Sequence, residues 1–269
     1  MEFWQALTLG IVQGVTEFLP ISSSGHLVLV QDLFSLTGDH LLAFNVFVHV
    51  GTLLAVVVYF WRDLLMLSQT LFRKLGRLPV NERDWVLLIS LLIGTIPAVL
   101  VGVAIGSLVE AYLMFAVPVA LALIAGSGLF IYAEWYHFKH PESRPLSVRT
   151  GLLIGCFQVL ALIPGFSRSG ATLAGGMLLG LTRYEAARFS FLLAIPVIAG
   201  AAAKVTIDFI AEPGAIVWSS VLVGAGVAFM VAFLVIHWFL GFVRRNTLWP
   251  FIWYRLVLAV LILYKEFLV

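Results

Sequence analysis

Charge is the scarcest property of this chain. Asp, Glu, Lys and Arg make up 11% of its 269 residues, whereas soluble domains carry about 25%. That shortage excludes an ordinary solvated surface. With 62% hydrophobic residues, the solvent that suits the chain is a bilayer. One cysteine, Cys156, excludes an internal disulfide. Ser/Gly-rich linkers and low-complexity tracts are missing, so a single membrane domain over residues 1–269 is expected. The start Met1–Glu2–Phe3–Trp4 has no basic stretch of the signal-peptide kind, and its hydrophobic segment is expected to be retained. A net charge of +2 gives no reason to expect nucleic acid as a partner.

Long apolar runs are abundant. A spanning helix needs about 20 such residues, and six stretches qualify: about 41–61, 85–106, 113–134, 189–208, 215–240 and 247–266. Residues 1–19, 26–37, 150–163 and 171–182 are shorter, and Pro and Gly interrupt them beside polar clusters. Each broken pair fits a re-entrant hairpin that runs to mid-bilayer and back. Irregular backbone at that depth survives where it lines a cavity or is buried in protein. The 62–84 stretch reads as the one long polar loop.

Basic residues are absent from the connections at about 107–112 and 209–214. Twelve of the sixteen lie instead in the other connections: Arg62, Arg73, Lys74, Arg77, Arg83, Lys139, Arg144, Arg149, Arg183, Arg188, Arg244 and Arg245. They share one side if each hairpin returns to its own side. By the positive-inside rule that side is cytoplasmic and both termini are periplasmic. Trp4, Tyr112 and Tyr264 then fall at the outer interface, and Trp61, Trp85, Trp135 and Trp249 at the inner one. The expected fold is all-α, with six transmembrane helices plus two re-entrant helical hairpins. The halves, approximately 1–135 and 150–269, form an inverted-topology repeat of the kind that brings broken helices together near the midplane.

The sequence itself repeats. At an offset of 145, Gly10 matches Gly155, Gln13 matches Gln158, Ser22 matches Ser167, Ser24 matches Ser169, Gly25 matches Gly170 and Phe44 matches Phe189. The matched stretches hold the intramembrane polar residues. In Ser167–Arg168–Ser169–Gly170–Ala171–Thr172, N-cap serines precede a small-residue helix. Free amides and the helix dipole there suit an anion, and Arg168 adds a fork that fits phosphate oxygens. The alternative is a capped helix whose Arg168 pairs with Glu17 for structure. Gln13 and Glu17, four apart, share a helix face. A carboxylate and an amide carbonyl suit a hard divalent cation, with substrate oxygens completing the shell. Glu17 could equally act as a general base, or the pair could tie hairpin to hairpin. Ser22–Ser23–Ser24–Gly25–His26 offers a nucleophile and a base together, in Ser23 and His26. Their division of labour is open.

Four other polar residues sit in spans. Asn45 and His49 read as cavity lining or interhelical hydrogen bonding. Arg255 is placed to snorkel to the cytoplasmic interface. Lys204 and Asp208 read as an interfacial ion pair.

With these motifs the chain resembles the bacterial undecaprenyl-diphosphate phosphatases of the bacitracin-resistance type. The resemblance runs over essentially the whole length. It rests on Gln13-x-x-x-Glu17 followed by Pro20–Ile21–Ser22–Ser23–Ser24–Gly25–His26, and on Pro164 to Thr172. It implies a multi-pass inner-membrane enzyme that removes the terminal phosphate of a C55 polyprenyl diphosphate, a lipid substrate, and recycles the carrier for cell-wall synthesis. A divalent cation, Mg²⁺ or Ca²⁺, is implied as cofactor, with Glu17 and Gln13 as its ligands, and so is a site open to the periplasm. Glu17, Ser23, His26 and Arg168 are then the expected catalytic residues. Ser22, Ser24, Ser167, Ser169, Gly170 and Thr172 are the expected phosphate ligands. Oligomeric state stays open, a homodimer included. The acid-phosphatase type of lipid phosphatase shares Ser-Gly-His but needs a further His and Asp after its Ser-Arg, and no His follows Arg168 as far as Gly176. The competing class is a polyprenyl-phosphate flippase of the same architecture, with Arg168 as anchor and no hydrolysis.

Overall fold

A computed structural model describes the whole chain except Thr37, Asp39, residues 212–216 and Val269. It leaves out the side chains of His40, Leu42, Ala43, Ser107, Glu110, Ala111, residues 204–211 and Leu268. The expected Lys204–Asp208 pair therefore lies outside the described side chains.

Apolar runs with no water to satisfy their backbone must form helices, and the described residues contain no strand. Eleven α-helices follow one another among them: α1 (Phe3–Thr16), α2 (Ser23–Leu33), α3 (His40–Tyr59), α4 (Trp61–Leu75), α5 (Glu82–Leu113), α6 (Ala116–Lys139), α7 (Val148–Val159), α8 (Arg168–Leu178), α9 (Arg183–Ala211), α10 (Trp218–Val243) and α11 (Trp249–Leu268). A 3-10 turn, Leu160–Leu162, extends α7. Among the described residues, α5, α6, α9 and α10 are long and apolar enough to cross a membrane. The α3–α4 pair, bent by 74°, makes a fifth candidate. The chain is thus a multi-span helical membrane protein. The helix α11 falls outside that set: it carries Arg255, Lys265 and Glu266 beside four Trp and Tyr residues.

Two expectations are corrected here. The 62–84 stretch is not a plain loop, because α4 occupies its first part. Trp61, Leu65, Phe72 and Leu75 form an exposed apolar face on α4, and an amphipathic helix has an average composition close to that of a loop. Arg255 does not snorkel. It is 0% exposed, because backbone carbonyls of the hairpin turns and of α6 surround its guanidinium.

Contacts between helix ends define the two ends of the molecule. Arg183, opening α9, forks onto Glu134 near the end of α6 (2.9 and 2.5 Å), and Glu134 also accepts the Leu248 amide ahead of α11 (2.8 Å). Arg188 pairs with Asp63, and Arg244 lies 4.1 Å over the Tyr184 ring. These contacts gather basic connections at one end. At the other end, Ser220 donates to the Met1 carbonyl (3.1 Å) and Lys265 pairs with Asp32 (2.6 Å).

The short helices turn back within this frame. Trp4, near the start of α1, meets Phe34, just past α2, with ring centroids 4.8 Å apart. The Arg144 amide ahead of α7 donates to the Gly180 carbonyl just past α8 (2.8 Å). Each short pair thus begins and finishes at the same end. The outer member of each packs on a long helix: α1 on α10 and α7 on α5. Glycines allow the close approach. A Cβ at Gly10 would stand 2.6 Å from the Gly224 carbonyl oxygen, and one at Gly155 would stand 2.2 Å from that of Gly94.

Candidate active site

The turns between the short helices meet in the interior. α2 begins at Ser23 and α8 at Arg168, a separation of 145 residues. Each is preceded by a serine with a left-handed backbone: Ser22 at φ 75° and Ser167 at φ 76°. Non-glycine residues at positive φ cost energy and persist where their surroundings over-determine them. The Ser167 hydroxyl accepts from the Gly170 amide (3.2 Å) and caps α8. Ser22 makes no such cap, and among the described residues the first amides of α2 have no side-chain acceptor.

Glu17, just past α1 and 7% exposed, is the centre of the site. Its Oε1 accepts from Arg168 Nη2 at 3.0 Å. Its Oε2 accepts from Ser23 Oγ at 2.7 Å and from Gln13 Nε2 at 3.0 Å. His49 Nε2 stands 3.7 Å from the same oxygen. A buried carboxylate and a largely buried guanidinium demand such pairing, since a lone charge there is costly. Arg168 also donates through Nη1 to the Ser190 carbonyl (3.3 Å), while its Nε is buried with no partner among the described residues.

These groups face a cavity of about 340 Å³. Glu17, Ser22, Ser23, Ser24, Ser167 and Arg168 line it, together with Asn45 and His49 on α3 and the apolar Val46, Val197, Ile198 and Ala201. Six candidates from the sequence therefore share one chamber. Gln13 is fully buried beside it.

The other candidates lie elsewhere. Ser169 donates to the Leu19 carbonyl (2.9 Å) and so ties the second turn to the first. Thr172 is held by the Arg168 carbonyl (2.8 Å) and the Ser190 hydroxyl (2.6 Å). Gly170 packs inside, where a Cβ would lie 2.3 Å from Phe130. His26 faces away from the chamber. Its Nδ1 donates to the Ser22 carbonyl (2.7 Å), its Nε2 accepts from the Tyr254 hydroxyl (2.6 Å), and the two rings stack. The imidazole in the chamber is that of His49, whose Nδ1 donates to the Asn45 carbonyl (2.6 Å), so that Nε2 points inward. The four-residue spacing of Asn45 and His49 was the only sequence signal for it.

The donor set suits a hard divalent cation in kind. Glu17 supplies a carboxylate, and Gln13 Oε1 is a buried acceptor with no partner among the described residues. It falls short in number, since no group of three or more His, Cys, Asp or Glu gathers among the described residues. Oxygens of a bound diphosphate would have to complete the shell.

Fold and site define a class: a multi-span helical membrane protein with an acid, a hydroxyl and a guanidinium in a buried polar chamber. Residues 6–261 match the protein family described as Bacitracin resistance protein BacA, and the chain belongs to that family. Among its relatives, an undecaprenyl-diphosphatase of Alteromonas mediterranea is 40% identical over 99% of this chain and 100% of its own length. One of Nitrosococcus oceani is 41% identical over 98% and 99%. One of Marinobacter nauticus is 38% identical over 96% and 97%.

Proposed function

We propose that this chain hydrolyses undecaprenyl diphosphate to undecaprenyl phosphate and inorganic phosphate. One observation carries the mechanism: the Glu17 carboxylate is shared between the Arg168 guanidinium and the Ser23 hydroxyl. A terminal phosphate reaching the chamber competes with Glu17 for Arg168. Glu17 then takes the Ser23 proton and Oγ attacks phosphorus. The bridging P–O bond breaks, and its electron pair leaves with the polyprenyl phosphate. Water next attacks the phosphoserine. Ser23 Oγ leaves phosphorus and recovers its proton from Glu17, and the proton shed by the water departs to solvent. Arg168 and the uncapped amides of α2 hold the phosphoryl oxygens as charge gathers on them. Val46, Val197 and Ile198 offer an apolar edge for the isoprenoid. Mg²⁺ or Ca²⁺, held by Glu17 and Gln13, would neutralise charge on the diphosphate.

The topology proposed with this function has six crossings and two re-entrant hairpins in an inverted repeat. The chamber and both termini are periplasmic in a bacterial inner membrane. The common ends of the short helix pairs, and the clustering of basic connections at one end, support it. A flippase would need the anion clamp but not a hydroxyl bonded to a buried carboxylate, and the relatives bear a hydrolase name.

The test uses detergent-purified chain, polyprenyl diphosphate and Mg²⁺. Phosphate release is expected, with its loss on chelation and recovery on adding metal back. Headgroup binding without phosphate release would favour the flippase.

A further inference from the structure

Arg255 is the one arginine of α11. It is fully buried and takes no part in the proposed chemistry. Among the described residues no carboxylate lies within ion-pair distance of it. Its guanidinium is satisfied by oxygens alone. Nη1 donates to the Pro20 carbonyl (3.2 Å) and the Phe166 carbonyl (3.0 Å), and Nη2 to those of Leu123 (3.2 Å) and Gly165 (3.4 Å). Nε reaches the Ser127 hydroxyl (3.3 Å), and the Phe130 ring lies 5.0 Å from the guanidinium carbon.

The identity of those carbonyls matters more than their number. Pro20 and Gly165 are equivalent at the 145-residue offset, and each stands two residues before a left-handed serine. A single planar fork therefore holds both turns against α6. Five donors in a fixed geometry can do this, and a lysine ammonium cannot span the same set. A slot on α6 admits the group. A Cβ on Gly126 would stand 2.1 Å from Arg255 Nη2. A buried guanidinium is expensive, so retaining one without a carboxylate calls for a role that neutral side chains cannot fill.

We propose that Arg255 is a positioning residue. It bolts the two hairpin turns together, so that Ser22 and Ser167 keep their left-handed backbone and Ser23 and Arg168 meet Glu17 in reacting geometry. The inference rests on the phosphatase reading for its kinetic consequence, while its structural consequence is read separately.

Three variants of the full chain test it in detergent: Arg255→Met removes the fork, Arg255→Lys keeps only charge, and Gly126→Ala pushes the fork from its slot. Amide hydrogen exchange is expected to quicken at residues 21–25 and 166–170 and to stay near parent elsewhere. Turnover should fall between about tenfold and about 10²-fold, as displacement of reacting groups produces. KM should shift by no more than about threefold, because ground-state contacts remain. Gly126→Ala, which leaves arginine in the sequence, should copy Arg255→Met in direction. Unchanged exchange in both turns overturns the proposal. So does faster exchange throughout the chain with normal kcat in the folded fraction, which would mark plain structural support. A parent without phosphate release would overturn the phosphatase reading, while the exchange pattern would still decide whether Arg255 clamps the turns.

Discussion

α2 and α8 have the same length, the same left-handed serine ahead of them and the same 145-residue correspondence, yet their surroundings differ. α8 is buried from Ser169 to Met177, packed against α6, α7 and α9. α2 buries only Gly25, Leu27 and Gln31 and leans chiefly on α1. The first helical position holds Ser23 in one and Arg168 in the other. The position of Glu17 in the first half is Leu162 in the second. One backbone device thus serves two purposes. In the proposed mechanism the tightly packed copy holds a fixed cation where the anion would dock. The looser copy carries the hydroxyl and, through the turn before it, the acid that would change bonding partners. Rigidity sits with the group whose charge is constant.

The largest effect should come from blunting the rigid half. Arg168→Lys keeps the charge and loses the planar fork. With insertion and folding unchanged, kcat should fall by roughly 10²-fold or more, the loss typical of one preorganised donor. KM should move less, because the lipid tail supplies much of the ground-state binding. Thermal stability and kcat measured on one sample decide the point. Lowered stability with normal turnover would make Arg168 a mere structural partner of Glu17.

Next come the paired glycines, which ask whether the two hairpins are equally braced. Gly155→Ala and Gly10→Ala both force a Cβ against backbone, and overpacking of this kind costs about 1–3 kcal/mol. Gly155→Ala should lower the thermal midpoint more, because its contact is tighter and its hairpin better packed. A larger drop from Gly10→Ala would reverse the assignment of rigid and loose halves.

The smallest effect is expected of Gln13→Glu. It replaces the amide that donates to Glu17 Oε2 with a second carboxylate, and the proposed cation would offset the added repulsion. Turnover should stay within about threefold of parent, with a lower metal requirement. A raised metal requirement would remove Gln13 from the ligand set.

The breaks between the short helices were legible because the sequence carries a register: a 145-residue offset, Pro and Gly breaks, and charges with no other reason to lie among apolar residues. Glu17, Ser23 and Arg168 followed from that register. α4 did not, since an amphipathic helix beside basic residues reads as a solvated connection until its exposed apolar face is seen. Nor did the orientation of His26, which depends on Tyr254, 228 residues away. His49 gave only a helical spacing, and its approach to Glu17 is made by the packing of α3. Arg255 was misread for a related reason. Nearness to a helix end suggests escape to the interface, but nothing local reveals carbonyls gathered from two distant turns.

The bond between Arg168 and Glu17 has one more consequence. In this arrangement the guanidinium already has an anion, supplied by the protein itself. In the proposed reaction every phosphate would therefore displace a tethered rival that never diffuses away. A diphosphate, with more charge and a second set of oxygens, would win that contest more readily than the single phosphate left after cleavage. When the product loosened, the carboxylate would close on the arginine again. The same pair that prepares the site for its substrate would thus help to empty it.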